Sequence, residues 1–219
     1  MPVPKKTKGM IAGVMGQVFK WPFRIALAGL YRAGFLPWQL TLLSLATTGI
    51  IGWLLVTGQR FLPGGLMILA GLFDIFDGSV ARLRGEASRA GAFLDSVLDR
   101  VADIILFGCL FWSLAGQGHR LAAVLSLTSL IASLLVSYIR AAGEAMGFSV
   151  SEGLFQRLER FVVLLVGLMV PGALLPALIL LTALGGFTVL QRTVSLWRQL
   201  PDARGRTEQT SVTKTRAPT

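Results

Sequence analysis

Six apolar stretches, each about twenty residues long, limit the fold of this chain more than any other feature. They run over about 38–57, 63–83, 91–115, 120–145, 154–172 and 176–197. A helix of about twenty residues is as long as the hydrocarbon core of a bilayer is thick, roughly 30 Å. The links between the stretches, "TGQRFLPGG", "LRGEASRAG", "AGQGH", "GFSVSEG" and "VPGALLP", carry the glycines, prolines and polar residues that end helices. An apolar share of 53% and a mean hydropathy of +0.68 exceed what an ordinary soluble domain carries. Before the first stretch, residues of about 10–33 set Lys20, Arg24 and Arg32 among apolar side chains, the pattern of an amphipathic helix lying in the interface. These cations also interrupt what would otherwise be the core of a secretory signal. After the last stretch, 201–219 is polar, lacks periodicity and is expected to be disordered. The expected class is an all-α membrane protein, a single domain over 1–200 with six transmembrane helices preceded by an N-terminal interfacial amphipathic helix.

Charge orients such a chain. The net charge is +10, and the cations cluster at the ends of apolar spans. With six spans both termini share a side, and of the 21 lysines and arginines only Arg60 and Arg120 fall on the other. The rich side is the cytoplasmic one. Both termini are therefore expected in the cytoplasm and the chain in the cell's inner membrane. Trp21, Trp38 and Trp197 fall near the cytoplasmic ends, and Trp53 and Trp112 near the outer ends, as interfacial belts would. A basic balance spread over span ends implies anionic lipid or phosphate partners and no nucleic acid. Cys109 is the single cysteine, which excludes an internal disulfide, and its apolar surroundings suit a small packing residue.

Against this background, "DIFDGSVAR" at 74–82 is costly, because it puts Asp74 and Asp77 inside an apolar run. Asp95 and Asp99 follow at the start of the next span, and Asp103 comes four residues later. Spacings of three and four place each pair on one helix face, and two antiparallel neighbours joined by a short loop can bring the pairs together. Carboxylates converging in low dielectric repel one another unless cations sit among them. Oxygen-only ligands favour a hard divalent ion. Ion pairing with Arg82 or Arg100 would account for one such Asp at an interface. Four at these spacings on adjacent spans point to function. Gly78 and Gly91 remove side chains beside the carboxylates, and Arg82 could donate to a phosphate.

The pattern Asp74-x2-Asp77-Gly78-x2-Ala81-Arg82-x8-Gly91-x3-Asp95-x3-Asp99 matches every fixed position of the signature of the CDP-alcohol phosphatidyltransferases. The chain resembles that family over nearly its whole length, up to about Leu200. The resemblance implies a reaction in which an alcohol attacks the β-phosphate of a CDP-linked lipid such as CDP-diacylglycerol, and CMP leaves. It implies two divalent cations, Mg2+ or Mn2+, held by Asp74, Asp77, Asp95 and Asp99, with Asp99 as the general base. Gly78, Ala81, Arg82 and Gly91 match positions that surround the cytidine and its diphosphate. Many members carry a Ser-Pro-Asn-x-x-Thr stretch where this chain has Leu36-Pro37-Trp38-Gln39-Leu40-Thr41. Pro37 and Thr41 keep their places, which assigns Thr41 a nucleotide contact, while Gln39 comes one place late for the Asn. Homodimerisation is implied by the resemblance, and the Gly- and Ala-rich spans allow close packing.

The acceptor is addressed by "SYIRAAGEAMGFSVSEGLFQRLERF" at 137–161. Arg140, Arg157 and Arg160, with Arg192 from the last span, all fall at cytoplasmic ends and could ring a pocket beside the metals. Arginine suits the forked recognition of phosphate. The other account of these residues is positive-inside anchoring with snorkelling stems, and Arg198 beside Trp197 is expected to be such an anchor. The stretch resembles the subfamily that makes phosphatidylinositol phosphate, or its archaeal-lipid counterpart, although Gln156 stands where that pattern has Glu. The resemblance implies a phosphorylated polyol acceptor, inositol 1-phosphate. Two alternatives stay open: the same chemistry on glycerol 3-phosphate (a phosphatidylglycerophosphate synthase), and a divalent-cation transporter. Against the transporter, the outer halves of the second and third spans offer no polar path onward.

Overall fold

The computed structural model describes residues 23–86, 88–148 and 157–200. These residues are all helix, turn and short link, without a strand. A helical stretch over 23–32 (α1) is followed by α2 (Pro37–Val56), α3 (Phe61–Arg84), α4 (Arg89–Gly116), α5 (Arg120–Ala145), α6 (Arg157–Met169) and α7 (Leu174–Gln199). Each apolar stretch read from the sequence thus overlaps one helix of the described residues. Three of them, α2, α5 and α7, are long and apolar enough to cross a membrane. With 24 and 28 residues, α3 and α4 are long enough, but they carry the carboxylates and arginines of the motif. The 13 residues of α6 cover about 20 Å as helix, and 149–156 before it lie outside the described residues. So does the part of the proposed interfacial helix before residue 23, and the whole of the polar tail at 201–219.

Large apolar side chains stand exposed along these helices, among them Ile50, Trp53, Trp112, Ile131, Ile179 and Phe187. A water-soluble chain seldom leaves so much apolar surface uncovered, whereas lipid covers it at no cost. The turns between helices behave as their glycines suggest. At the end of α3, Gly85 takes φ 68°. Its N–H donates to Arg82 O at 3.3 Å, and Glu86 N–H donates to Ala81 O at 3.0 Å. This pair of bonds closes a helix only when the residue at Gly85 adopts left-handed backbone. It turns the chain sharply between the two helices that carry the aspartates.

The helices sort into two compact units. In the first, the described residues up to Ile51 join Gly65–Ala102. Its core is Leu40, Phe76 and Val80, against which Phe23, Leu27 and Leu30 pack from α1. Their spacing of four and three residues puts them on one face of α1. Phe23 stacks on Phe76 with ring centroids 5.1 Å apart. Ser44 donates to the Ala70 carbonyl at 3.0 Å, tying α2 to α3.

In the second unit Gly52–Gly64 joins the described residues from Asp103 onward. Here α7 packs against both α5 and α6. Gly167 lets α6 close on α7, since a Cβ there would stand 2.7 Å from Ala177 Cβ. Hydroxyls add bonds between helices: Ser126 donates to Phe107 O at 3.0 Å, and Ser129 and Thr182 Oγ atoms lie 3.0 Å apart. In an apolar surrounding, such groups need partners within the protein.

Candidate functional site

Three of the four predicted metal ligands converge. Asp74 from α3 and Asp95 and Asp99 from α4 each offer a carboxylate oxygen, and these oxygens all lie within 4.8 Å of one another. A divalent ion with metal–oxygen bonds of about 2.1–2.4 Å holds its ligand oxygens roughly 3–4.8 Å apart. An all-oxygen, carboxylate donor set of this spread therefore fits a hard divalent cation. Two turns of α4 supply one side through the four-residue spacing of Asp95 and Asp99, and Asp74 supplies the other.

Asp77 is placed differently. It lies three residues after Asp74, about 60° further round the helix, and is only 7% exposed. Its Oδ2 accepts a hydrogen bond from Thr41 Oγ1 on α2 at 2.8 Å. The Thr41 hydroxyl also lies 3.1 Å from the Pro37 carbonyl. It has one proton, and the shorter, charge-assisted bond is the stronger. Thr41, which the sequence assigned to a nucleotide contact, is thus found holding a motif aspartate. Two residues earlier, Gln39 accepts from Leu36 N–H at 3.0 Å and so occupies the start of α2.

The remaining motif positions lie in unit one. Ala81 and Arg82 stand in the last turn of α3, and Arg82 donates to Ser79 Oγ at 3.2 Å. Gly78 is inside α3, where an added Cβ would meet only the end of the Arg82 side chain, at 3.7 Å. Gly91 lies in the first turn of α4, where a Cβ would meet only Ser88 Oγ, at 3.3 Å. Among the described residues Gly78 has ordinary room for a Cβ, a Cβ at Gly91 would press on the Ser88 hydroxyl that accepts from the Gly91 N–H, and neither meets a neighbouring helix as Gly167 does.

The arginines are set by unit two. Arg192 on α7 is 5% exposed and donates to the Val136 carbonyl of α5 at 2.9 Å. Arg140 on α5 pairs with Glu144 at 2.8 Å and is exposed. Arg160, half-buried on α6, donates to Ser133 Oγ of α5. Arg140, Arg160 and Glu144 all lie near enough to act electrostatically on Arg192. Three of the four predicted arginines therefore form one cluster, and Arg157 stands exposed at the start of α6. Two residues of this cluster had no role in the sequence reading. Ser133 is buried and donates to Asp103 Oδ2, so the carboxylate left over from the motif is tied to the arginines. The signal that existed was the placing of Asp103 one turn after Asp99, and nothing local pointed to Ser133.

A family model, CDP-alcohol phosphatidyltransferase, matches residues 34–197. The phosphatidylinositol phosphate synthase of Corynebacterium glutamicum is 41% identical over 166 residues, covering 72% of this chain and 76% of that protein. The archaetidylinositol phosphate synthase of Methanothermobacter thermautotrophicus is 35% identical over 161 residues, covering 71% and 77%. Among solved structures, the Mycobacterium tuberculosis phosphatidylinositol phosphate synthase with CDP-DAG bound superposes with a TM-score of 0.74 at 31% identity, over 80% of this chain and 93% of that one. The same enzyme has been solved in complex with manganese and citrate, at the same TM-score of 0.74.

Proposed function

The chain belongs to the CDP-alcohol phosphatidyltransferase family, and from that premise we propose that it transfers the phosphatidyl group of CDP-diacylglycerol to inositol 1-phosphate, releasing CMP. Membership of an enzyme family displaces the cation-transporter alternative. The observation that carries the proposal is the convergence of Asp74, Asp95 and Asp99. With Asp77 they would hold two divalent cations, Mg2+ or Mn2+, which neutralise phosphate charge and align the reacting groups. Asp99 takes the proton from the acceptor hydroxyl. The freed oxygen forms a bond to the β-phosphorus, and the bond from that phosphorus to the CMP oxygen breaks.

Thr41, Gly78, Ala81, Arg82 and Gly91 are assigned to the nucleotide and its diphosphate. Glycine inside a helix costs about 0.5–1 kcal/mol relative to alanine. Among the described residues no neighbouring helix packs against Gly78 or Gly91, and room for a ligand against the backbone accounts for a glycine at both. Arg140, Arg157, Arg160 and Arg192 are assigned to the acceptor's phosphate. An uncharged polyol has no use for such a cluster, and the names of the curated relatives agree with a phosphorylated inositol. The enzyme is placed in the inner membrane as a homodimer of six-span subunits, each with its N-terminal helix in the interface. The site and both termini face the cytoplasm, as the distribution of lysine and arginine supports.

The test is initial-rate kinetics on the purified chain in bilayers, with inositol 1-phosphate, glycerol 3-phosphate and free inositol side by side, with and without a chelator. CMP release should require divalent ion and favour inositol 1-phosphate. Arg157→Ala should raise the acceptor KM about ten-fold or more, with little change for the CDP-lipid. Preference for free inositol would end the phosphate assignment. Preference for glycerol 3-phosphate would keep the arginines in their role and change the product. Activity unaffected by chelation would end the metal assignment.

A further inference from the structure

Asp103 and Ser133 are absorbed by neither the metal site nor the phosphate contacts, yet they are bonded to the arginine cluster. Ser133 Oγ lies between Arg160 Nη1 and Asp103 Oδ2, within hydrogen-bond reach of both. A guanidinium can only donate and an ionised carboxylate can only accept, so the direction of both bonds is forced. Arg160 donates to the hydroxyl, and the hydroxyl donates to Asp103. Ser133 is 2% exposed, so water does not substitute easily for either bond.

The same face of α5 serves the other arginines. Ser133, Val136 and Arg140 follow at spacings of three and four. Ser133 receives Arg160, the Val136 carbonyl receives Arg192, and Arg140 is carried on the helix itself. Glu144 is set directly on Arg140, and Asp103 acts through Ser133 on Arg160. The Ser133 hydroxyl passes the Asp103 carboxylate's field on to Arg160 and gives the guanidinium a directional hydrogen bond.

We propose that Ser133 and Asp103 are positioning residues for the acceptor site: Asp103 orients the Ser133 hydroxyl, and Ser133 fixes the plane of the Arg160 guanidinium toward the phosphate of a phosphorylated polyol. The inference rests on the assignment of Arg160 to that phosphate.

The test is two-substrate kinetics on the full chain in bilayers, varying inositol 1-phosphate and CDP-diacylglycerol separately. The variants are Ser133→Ala, Asp103→Asn, Arg160→Ala and the double variant Ser133→Ala/Arg160→Ala. Ser133→Ala and Asp103→Asn should each raise the KM for inositol 1-phosphate about five- to ten-fold, the value of one oriented hydrogen bond. The kcat and the KM for CDP-diacylglycerol should stay within about two-fold of wild type, which a general loss of structure would not allow. The double variant should be no worse than Arg160→Ala alone, because the effect of Ser133 runs through Arg160. If Ser133→Ala fails to fold, Asp103→Asn, which keeps the side-chain shape, carries the same comparison. A raised acceptor KM in Arg160→Ala beside unchanged values in Ser133→Ala and Asp103→Asn would overturn the positioning role alone. Parallel losses in kcat and both KM values would overturn it too. An unchanged acceptor KM in Arg160→Ala would bring down the phosphate assignment and the positioning role with it.

Discussion

Replacing Thr41 by valine separates two jobs that one residue can be given. Valine keeps the shape of threonine and removes only the hydroxyl, so no cavity opens. What is lost is the 2.8 Å bond to Asp77 Oδ2. A charge-assisted hydrogen bond contributes about 1.5–3 kcal/mol, and about 1.4 kcal/mol is a factor of ten in an equilibrium. Two features of the structure set where in that range the effect falls. Asp77 is 7% exposed, so water replaces the lost donor poorly and the cost rises. The Pro37 carbonyl at 3.1 Å competes for the same proton in the wild type, which lowers what the carboxylate gains. The lower half of the range follows, about ten- to forty-fold. If Thr41 acts by holding Asp77 as a ligand, the loss is read in the metal. The divalent-ion concentration for half-maximal CMP release rises about ten- to forty-fold, as the bond strength predicts, and saturating metal recovers most of the rate. Thr41→Ser, which keeps the donor, should remain within about three-fold of wild type. If Thr41 acts on the nucleotide, the KM for CDP-diacylglycerol rises instead and added metal recovers nothing. A wild-type metal requirement in Thr41→Val would refute the positioning of Asp77 by this bond.

Asp99→Asn should lower kcat by about 10²–10⁴-fold, since the amide keeps an oxygen but cannot take a proton, while CDP-lipid binding measured directly stays near wild type. Gly78→Ala should raise the thermal stability of the detergent-solubilised enzyme, by about 0.5–1 kcal/mol from helix propensity, and yet lower activity through the CDP-lipid KM. Unchanged kinetics there would mean that no ligand approaches that stretch of backbone. Gly167→Ala should have the reverse profile. Its Cβ would stand 2.7 Å from Ala177 Cβ, and overpacking of this kind costs about 1–3 kcal/mol in thermal unfolding, with the KM values of surviving enzyme unchanged.

The helices were legible because length and apolarity are local properties. The stretch read at 120–145 is α5 at Arg120–Ala145, and 38–57 is α2 at Pro37–Val56. The glycines in the links also report themselves locally, because left-handed backbone at the end of α3 strongly favours a residue like Gly85. The carboxylate motif was legible for a related reason. Spacings of three and four fix a helix face whatever surrounds it, so Asp95 and Asp99 were bound to point the same way.

What a face meets is decided only by packing. Asp74 and Asp77 look equivalent in the motif, yet 60° of rotation sends Asp77 to Thr41 on α2 while Asp74 joins the aspartates of α4. Glycine carries no mark that distinguishes Gly78, where a side chain would find room, from Gly167, where it would strike α7. Arg140 and Arg192 read alike as cytoplasmic cations. In three dimensions one is exposed on an acid of its own helix, and the other is buried on a carbonyl of a neighbouring helix. Ser133 was beyond any local reading, because a serine in an apolar span has the same sequence whether it bonds its own helix or joins Asp103 to Arg160. The sequence alone determined where helices form, which side chains share a face and which chemistry those faces carry, since these depend on residues a turn apart. The pairing of faces depends on residues far apart in the chain, and only the packed helices decided it.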